Sequence, residues 1–452
     1  MHAALLVAAL LAMPAAALPV AEARAILKQA VEIPTVLGRG QNIVLAEALR
    51  ARLVAAGYAP ADVTVEKVAG EAILNARYRG TGGAKPIAVI GHMDVVEADP
   101  KDWVRDPFKL VEEGGYLFGR GVADNKFDIS AIVATLIDLK RAGFRPKRDI
   151  LLYLSGDEET DGKTAAVQAK AAKAAGVEFV LNGDGGGGGL TTANQPVSYA
   201  LQGAEKTYAD FEFAFANPGG HSSAPRADNA FYRLGAALAK LQAHKFPAQI
   251  NPLTRATLAD AGPRVGGATG AALTKFAVDP TDAAAAATLA ADPSWVGQIG
   301  TTCVATQLSG GHAPNALPQR AAVIVNCRIF PGTSVADVKS TLLGVIADPA
   351  VVATTKVDWP ATSPSPLRPD VVGALTKAVH GRFPGLAVVP GQTSGATDCV
   401  FYRKLDMPCY GVSGLFMRSE DEFSHGLNER VPVGAIEPAL AHWRTLLTKL
   451  SK

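Results

Sequence analysis

The sequence has few of the features that mark several large classes of protein. It contains four cysteines among 452 residues, and none of them forms a CxxC pair, which argues against a thiolate metal site. Its 44 basic residues nearly balance its 42 acidic residues, and no basic block is present, so its charge gives no reason to expect nucleic acid as a partner. No Gly-x-Ser-x-Gly motif follows a predicted strand, which disfavours a serine hydrolase.

Long uncharged apolar runs are also missing, except at the amino terminus. Residues 1–18 are nearly all Ala, Leu, Val and Met, and residues 15–17 resemble the small-residue cleavage site of a secretory signal. Only His2 stands where a Lys or Arg is usual in such a signal. We expect a signal peptide here and a periplasmic or secreted protein that is free of the membrane after signal removal. The alternatives are a plain N-terminal helix and a start codon assigned too early.

The length of the chain favours two domains, because a single core rarely grows to this size. Residues 19–196 and 361–452 alternate short apolar strands with amphipathic helices, which predicts an α/β domain with a mixed sheet flanked by helices. Residues 197–360 follow the order strand, helix, strand, strand, helix, strand, which predicts an inserted α+β, ferredoxin-like domain.

Polar side chains follow three apolar runs that read as buried parallel strands. His92 and Asp94 follow the first run, Glu158 and Glu159 the second, and Asp184 the third. Because the carboxyl ends of parallel strands meet at one edge of a sheet, we expect these side chains to lie together. Imidazole and carboxylate groups gathered at one edge indicate a metal site. Taken singly, each has an alternative as a core histidine or a polar turn residue.

Asp124 lies in the segment Gly-Arg-Gly-Val-Ala-Asp-Asn-Lys, just before a predicted helix. It is a further candidate ligand, and its alternative is that it caps that helix. Asp94, two residues after His92, is spaced to accept a hydrogen bond from the second ring nitrogen of a metal-bound histidine. The glycine run at residues 185–189 is interpreted as a flexible loop.

The four cysteines are expected to be buried free thiols, since cysteine often packs as a small hydrophobic residue. Export would permit a disulfide, and Cys399 and Cys409 are close enough in sequence to pair. The sequence does not decide which cysteines pair, or whether any do.

The order of the motifs resembles that of metallopeptidase family 20, which includes carboxypeptidase G, succinyl-diaminopimelate desuccinylase, acetylornithine deacetylase and aminoacylase. The matching pieces are His-x-Asp, Gly-Arg-Gly-x-x-Asp-x-Lys, Gly-Asp-Glu-Glu, an acid after a strand, Gly-His-Ser-Ser and His-Gly-x-Asn-Glu. The resemblance implies an α/β zinc-peptidase domain interrupted by a smaller dimerisation (lid) domain. A homodimer formed through the inserted domain is therefore expected.

The resemblance also implies a role for each ligand candidate. Asp124 would bridge two Zn2+ ions, with His92 and Asp184 on one ion and Glu159 and His425 on the other. Glu158 would act as general base toward a water between the ions, which becomes the attacking hydroxide, and Asp94 would orient His92 by binding its second ring nitrogen. Co2+ or Mn2+ are alternatives, since both occupy sites of nitrogen and oxygen ligands.

Three further residues resemble family positions outside the metal ligands. His221 resembles the histidine that reaches the site of a neighbouring subunit, where it would stabilise an oxyanion; its alternative is a loop histidine that only caps its turn. Asn315 and Arg328 resemble substrate-contacting positions, and Arg328 would pair with a substrate carboxylate. Both have a purely structural alternative. The segment 391–398 departs from the usual Gly-Gly-Thr-Ser-Asp-Ala pattern.

The resemblance implies a dinuclear zinc hydrolase that cleaves amide bonds, most simply an exported carboxypeptidase or dipeptidase. The alternative is an N-acyl amino acid deacylase with the same chemistry on a different substrate. A non-catalytic binding protein of the same fold is the remote alternative, and such a protein is expected to lose Glu158 or a ligand, whereas all are present.

Overall fold

The computed structural model of the protein describes residues 19–452, so the predicted signal peptide, residues 1–18, lies outside the described residues. The α-helices of this part of the chain are α1 Val20–Glu32, α2 Asn42–Ala55, α3 Lys126–Arg141, α4 Lys163–Ala174, α5 Ala230–Ala243, α6 Pro252–Val265, α7 Gly267–Val278, α8 Ala283–Ala290, α9 Val335–Ile346, α10 Pro369–Arg382, α11 Cys399–Arg403 and α12 Ile436–Leu450. Among the described residues, none of these helices is long and apolar enough to cross a membrane.

The strands of the described chain belong to three sheets. They are β1 Val63–Val68, β2 Glu71–Tyr78, β3 Ile87–His92, β4 Val111–Glu113, β5 Tyr116–Phe118, β6 Ile150–Ser155, β7 Val180–Asn182, β8 Gly187–Leu190, β9 Pro196–Glu205, β10 Thr207–Ala216, β11 Thr302–Gly310, β12 Arg320–Ile329, β13 Val352–Asp358, β14 Val388–Thr393, β15 Cys409–Gly411, β16 Phe416–Arg418 and β17 Arg430–Pro432.

The largest sheet has the strand order β1-β2-β6-β3-β7-β15-β9-β8-β16, and β14 pairs beside β9. Strands β6, β3 and β7 run parallel to one another, whereas β1, β2 and β6 are joined antiparallel. This mixed sheet with helices on both faces confirms the predicted α/β fold. A small sheet of β17, β5 and β4 lies beside it.

Strand β3 shows why this sequence forms a central strand. All six of its residues are buried, and successive side chains point to opposite faces of the sheet. Ile87 and Val89 join the core built with α1, α2, α3, α10 and α12, whereas Ala88 and Ile90 join the core built with α4 and α11. A continuous apolar run is therefore what both faces require, and His92 at its end is the first polar side chain.

A second sheet has the order β11-β12-β10-β13, with α5 and α9 packed on one face. In β10 the buried Phe211, Phe213 and Phe215 alternate with partly exposed residues, so one face of this strand is buried under the helices and the other is partly open to solvent. Numbered within this unit, the strand order is that of the predicted ferredoxin-like arrangement. Helices α6, α7 and α8 form a further apolar cluster of their own.

The boundary between the two sheets differs from the expected one. The sequence assigned the whole stretch from residue 197 to the inserted domain, but β9 pairs with β8, β14 and β15 in the large sheet. The second sheet begins at Thr207, after the single residue Lys206. An alternating pattern of apolar and polar residues does not reveal which sheet a strand joins, because a strand with that pattern fits either sheet. The division into functional domains stays a prediction.

The expectation of free thiols is wrong, because the structure joins Cys303 to Cys327 and Cys399 to Cys409. Cys303 and Cys327 lie directly opposite each other on β11 and β12, with their Cα atoms 4.1 Å apart. Cys399 begins α11 and Cys409 begins β15, at a Cα separation of 5.5 Å. Both pairings depend on strand register and helix placement, which the spacing of cysteines does not contain.

Helix α12 is attached to the large sheet through a buried histidine. His442 is 4 % exposed, its Nε2 donates to the carbonyl of Val412 at 3.0 Å, and its ring stacks on Tyr199. Burial lowers the pKa of His442 from 6.5 to about 4. The unfolded chain therefore binds a proton here below pH 6.5, whereas the folded chain binds it only near pH 4.

We predict that this histidine makes the fold acid-sensitive. Because the unfolded state takes up more protons between pH 6.5 and pH 4, stability falls as the pH drops through that window, by roughly 3 kcal/mol in total. The variant His442→Phe keeps the stacked ring and should lose this part of the pH dependence in urea unfolding. His380→Phe, at a half-buried histidine that also bonds a carbonyl, is the control. Parallel pH profiles for wild type and His442→Phe would contradict the prediction.

Candidate metal centre

The candidate ligands gather where three parallel strands end. His92 is the last residue of β3, and it lies beside Ser155, the last residue of β6. The turn after β6 carries Glu158 and Glu159, and the turn after β7 carries Asp184. The strand ends thus bring a histidine and three acids to one edge, as the sequence predicted.

Asp124 lies between two histidines that are distant in sequence. Its Oδ1 is 2.9 Å from Nε2 of His92, and its Oδ2 is 3.3 Å from Nε2 of His425. Helix α3 begins at Lys126, two residues later, and Asp124 is not its N-cap residue. Asp124 therefore offers one oxygen to each side of the cluster, and the capping alternative does not apply.

Two groups of three ligands share this aspartate. His92, Asp124 and Asp184 form one, and Asp124, Glu159 and His425 form the other; within each group the ligand atoms lie within 4.8 Å of one another. His92 Nε2 is 3.9 Å from Asp184 Oδ2, and His425 Nε2 is 2.8 Å from Glu159 Oε2. A third group of His92, Glu158 and Glu159 meets the same distance limit, which places Glu158 beside the first two groups.

Asp94 holds the turn that carries the two glutamates. Its Oδ1 accepts from the backbone N–H of Glu158 at 3.2 Å, and its Oδ2 accepts from that of Glu159 at 3.0 Å. The expected bond from His92 goes mainly to the main chain instead, since Nδ1 lies 3.0 Å from the carbonyl oxygen of Asp94 and 3.6 Å from its carboxylate. Asp94 thus supports His92 through its carbonyl oxygen, and it supports the turn of Glu158 and Glu159 through its carboxylate.

His425 reaches the site from a loop with unusual backbone geometry. Its φ angle is +63°, in the left-handed region, and its carbonyl accepts from Arg120 at 3.3 Å. Its side chain is about half exposed, so solvent and substrate have access to this side of the cluster. The local sequence gave no signal for this placement of His425, and the prediction of it came from the family resemblance.

Glu429 is a buried carboxylate whose role the sequence reasoning missed. It accepts hydrogen bonds from the backbone N–H groups of Gly121, Ala123 and Asp124 at 2.8, 2.8 and 3.1 Å, and from Arg120 Nη1 at 2.8 Å. It is fully buried. The chain around Asp124 is therefore shaped by one acid more than 300 residues away, and the quoted motif His-Gly-x-Asn-Glu was the available signal.

Asp398 adds a second carboxylate that was missed as a site residue. Its Oδ2 accepts from the hydroxyl of Ser155, while Oδ1 is buried and has no hydrogen-bond partner within the described residues. Burial raises the pKa of Asp398 to about 7. The segment 391–398, which departs from the family pattern, thus ends in an acid that contacts Ser155 and lies within electrostatic range of Glu158.

The electrostatics of the cluster fit the binding of cations. Burial raises the pKa values of Glu158, Glu159 and Asp184, and repulsion from neighbouring acids raises them further. Burial acts on Asp124 in the same direction, but hydrogen bonds from His425 and His92 hold its pKa below the ordinary value. Four acids in one buried space are stable as anions only with positive charge among them. Carboxylate and imidazole donors suit zinc and similar divalent ions.

The remaining sequence candidates lie on the second sheet and its loops. His221 is exposed and bonds Ser223 Oγ at 2.7 Å, and Ser222 N donates to the carbonyl of Asn315 at 3.0 Å, so these two loops lie together. Neither His221 nor Asn315 belongs to the ligand groups of the described chain. Arg328 packs over Tyr208 with 4.5 Å between guanidinium carbon and ring centroid.

Arg328 has a cationic neighbour that the sequence reasoning missed. Lys206, fully buried between β9 and β10, donates from Nζ to Thr302 Oγ1 at 3.1 Å, and Thr302 is the cross-strand partner of Arg328. Burial and the charge of Arg328 lower the pKa of Lys206 to about 7. Burial also lowers the pKa of Arg328, while Tyr208, Asp210 and Glu158 act in the opposite sense. Arg328 is therefore within electrostatic range of the cluster.

Comparison with known proteins gives one consistent family. The model of peptidase family M20/M25/M40 matches residues 88–449. The N-fatty-acyl-amino acid synthase/hydrolase PM20D1 of Xenopus tropicalis is 28% identical over 372 residues, which cover 78% of this chain and 70% of that protein. The Beta-Ala-Xaa dipeptidase of Lactobacillus delbrueckii subsp. lactis is 45% identical over 80 residues, or 18% of this chain and 17% of that protein.

A solved structure gives the same fold. The M20 family metallo-carboxypeptidase Sso-CP2 from Sulfolobus solfataricus superimposes with a TM-score of 0.70 at 17% sequence identity. The alignment covers 94% of this chain and 98% of that one. At this level of identity the likeness concerns the fold and leaves the substrate open.

We predict that Glu429→Gln weakens metal binding by 10- to 100-fold, about the loss seen when residues that orient metal ligands are changed. The amide would turn N–H donors toward the N–H groups that the carboxylate now accepts, which displaces the backbone at Asp124. Calorimetric titration of the metal-free protein with Zn2+ measures the effect. Glu437→Gln, at an exposed glutamate of α12, is the control. A folded Glu429→Gln protein with wild-type affinity for Zn2+ would contradict the role of Glu429 in holding the backbone at Asp124.

Proposed function

The chain belongs to peptidase family M20/M25/M40, and on that premise we propose that it hydrolyses the amide bond of N-acyl amino acids with the help of two divalent cations. The observation that carries the proposal is the pair of ligand groups that share Asp124. The similarity to the Xenopus N-fatty-acyl-amino acid synthase/hydrolase, over most of this chain, supports the choice of substrate class.

His92, Asp124 and Asp184 would hold one cation, and Asp124, Glu159 and His425 the other. Zn2+ is the first choice for this donor set, with Co2+ or Mn2+ as alternatives. Such a pair of cations polarises the substrate carbonyl and makes water more acidic. Each group supplies three protein ligands, which leaves positions open for water and substrate as in catalytic rather than structural sites.

Glu158 is the proposed general base. Its pKa is raised by burial and by the acids Asp184 and Asp398, which makes it both a better proton acceptor than an ordinary glutamate and a competent donor. It would take the proton from the attacking water and deliver it to the nitrogen of the leaving amino acid. Asp94 positions Glu158 for this by binding the backbone N–H of its turn.

Arg328 and Lys206 are the proposed binding site for the carboxylate of the substrate. Arg328 lies within electrostatic range of Glu158, and among the described residues neither Arg328 nor Lys206 forms a salt bridge with an acidic side chain. Arg328 presents the planar donor pair that matches a carboxylate. A free carboxylate next to the cleaved amide bond is what distinguishes an N-acyl amino acid from other amides.

Dipeptides are the second candidate substrate, as the sequence first suggested. A dipeptide has the same amide and the same terminal carboxylate, and differs in having an amino group on the acyl side. The short stretch of 45% identity to a Beta-Ala-Xaa dipeptidase favours keeping this candidate. Secretion to the periplasm or medium, as expected for residues 1–18, suits either substrate.

A homodimer is proposed together with this function. His221 is exposed, lies on the loop after β10 and belongs to neither ligand group of its own chain. We propose that it stabilises the oxyanion in the site of a second copy, as the family resemblance implies. The loop of Asn315, bonded to the same segment, would enter that site with it.

We predict that Glu158→Gln abolishes proton transfer and leaves metal binding intact. Hydrolysis of an N-acyl amino acid should fall about 10²- to 10⁴-fold, the usual contribution of a general base. Amine release measures the rate, and metal content measures occupancy. Asp161→Asn, at an exposed acid of the same turn, should be as active as wild type. Full activity of Glu158→Gln with two cations bound would refute its role.

We also predict that two inactive variants complement each other in mixed dimers. Co-expression of His221→Ala with Glu158→Gln should restore about a quarter of wild-type activity, since half of randomly paired dimers are mixed and each has one complete site. Co-expression of Glu158→Gln with Asp124→Asn should restore none, because both residues serve the same chain's site. Equal activity from the two co-expressed pairs of variants would contradict the proposal that His221 acts in the site of the second copy.

A further inference from the structure

A chain of buried hydrogen bonds leads from the metal centre to the place where the polypeptide passes between the two sheets. It begins at Asp184, which forms the first ligand group with His92 and Asp124. Asn182, the last residue of β7, is fully buried, and its Oδ1 accepts from the backbone N–H of Asp184 at 2.9 Å. Its Nδ2 donates to the carbonyl of Asp184 at 2.9 Å. Asn182 therefore holds the main chain of this ligand through both its N–H and its carbonyl.

Thr397 holds Asn182 in turn. The Oγ1 atom of this buried threonine accepts from Asn182 Nδ2 at 3.2 Å and donates to Oε2 of Glu205 at 2.8 Å. It also accepts from the backbone N–H of Cys399, the first residue of α11, at 3.2 Å. A hydroxyl has one proton and two lone pairs, so these three hydrogen bonds use the full capacity of Thr397.

The far end of the chain is a buried ion pair. Glu205, the last residue of β9, forms a salt bridge with Arg403, and both side chains are buried. The guanidinium also donates to Ser365 Oγ at 3.0 Å and to the carbonyl of Cys409 at 2.8 Å. Removing either partner of such a pair leaves an uncompensated buried charge, and this cost keeps the two side chains together.

The ion pair lies where the chain crosses between the sheets in both directions. Lys206, the residue after Glu205, leads into β10, and Ser365 belongs to the segment by which the chain returns after β13. The backbone N–H of Ser365 donates to the carbonyl of Gly203 at 2.8 Å, so the outgoing and returning segments are in contact. One buried network thus ties both crossings to the turn that carries Asp184.

We propose that Thr397 is a positioning residue for one of the two cations, the cation of the first ligand group. It acts through Asn182, which fixes the main chain at Asp184, and it is itself held by Glu205. The inference rests on the proposed function, in which each ligand group holds one cation.

The cation of the second ligand group has different supports. Asp94 accepts from the backbone N–H of Glu159, and Arg120 donates to the carbonyl of His425. The three hydrogen bonds of Thr397 go to none of these residues. Loss of the Thr397 hydroxyl should therefore weaken the binding of the first cation and leave the binding of the second unchanged.

Calorimetric titration of the metal-free protein with Zn2+ tests the proposal. Asp184→Asn and Glu159→Gln, each at a ligand of one group only, identify which binding event belongs to which cation. Thr397→Val replaces the hydroxyl by a methyl group and should weaken the first cation by roughly fivefold, the contribution of one ordinary hydrogen bond. Thr397→Ser keeps the hydroxyl, so its affinity for the first cation should stay within about twofold of wild type.

Thr135→Val is the matched control, because Thr135 is a buried threonine of α3 whose hydroxyl has no hydrogen-bond partner among the described residues. It should leave both affinities unchanged. Thermal unfolding checks that each variant is folded. Asn182→Ser breaks the same chain one step nearer to Asp184 and should cause the same selective loss, so it carries the test if Thr397→Val does not fold.

A loss confined to the first cation in Thr397→Val, with recovery in Thr397→Ser, supports the positioning role. Equal losses for both cations, or no loss in a folded variant, would overturn that role and leave the proposed function standing. A wild-type protein that binds fewer than two Zn2+ ions would overturn the proposed function and the positioning role together.

Discussion

The crowding of buried carboxylates at one end of the large sheet is the constraint on which the arrangement of the rest of the site depends. Asp124, Glu158, Glu159 and Asp184 share a space in which burial and mutual repulsion oppose their charges. The acids that position them, Asp94 and Glu429, are bound mainly by backbone N–H groups. The backbone thus fixes the geometry and brings few side-chain cations into the cluster, so the ligand oxygens stay free for metal ions.

Much of this arrangement follows from local sequence. A strand buried on both faces must be apolar throughout, so the first polar residue after it marks the sheet edge, and that reasoning located His92, Glu158, Glu159 and Asp184. The alternation of buried phenylalanines with partly exposed residues in β10 is local in the same way, because successive side chains of a strand point to opposite faces of the sheet. These predictions succeed because strand periodicity and burial are decided within a few residues.

The missed features are all set by residues far apart in the chain. Glu429 holds the segment before Asp124 across more than 300 residues, and neither periodicity nor burial near either residue predicts the contact; the motif His-Gly-x-Asn-Glu was the one available signal. The disulfide of Cys303 and Cys327 exists because β11 and β12 pair in one register, which the cysteine spacing does not encode. The glycines of β8 were wrongly interpreted as a loop because glycine is rare in strands; β8 pairs with both β9 and β16, and the ring of Phe416 leaves no room for a side chain at Gly188.

The two sheets have separate tasks in the proposed reaction, and this separation has a consequence for specificity. Arg328 on β12, with Lys206 at the junction of the sheets, would hold the substrate carboxylate. On the large sheet, the two ligand groups that share Asp124 would hold the amide carbonyl, which every N-acyl amino acid and every dipeptide contains. In the proposed reaction, selection would therefore be strictest for the leaving amino acid, because the charged groups that face its carboxylate would be left unpaired by a substrate without one.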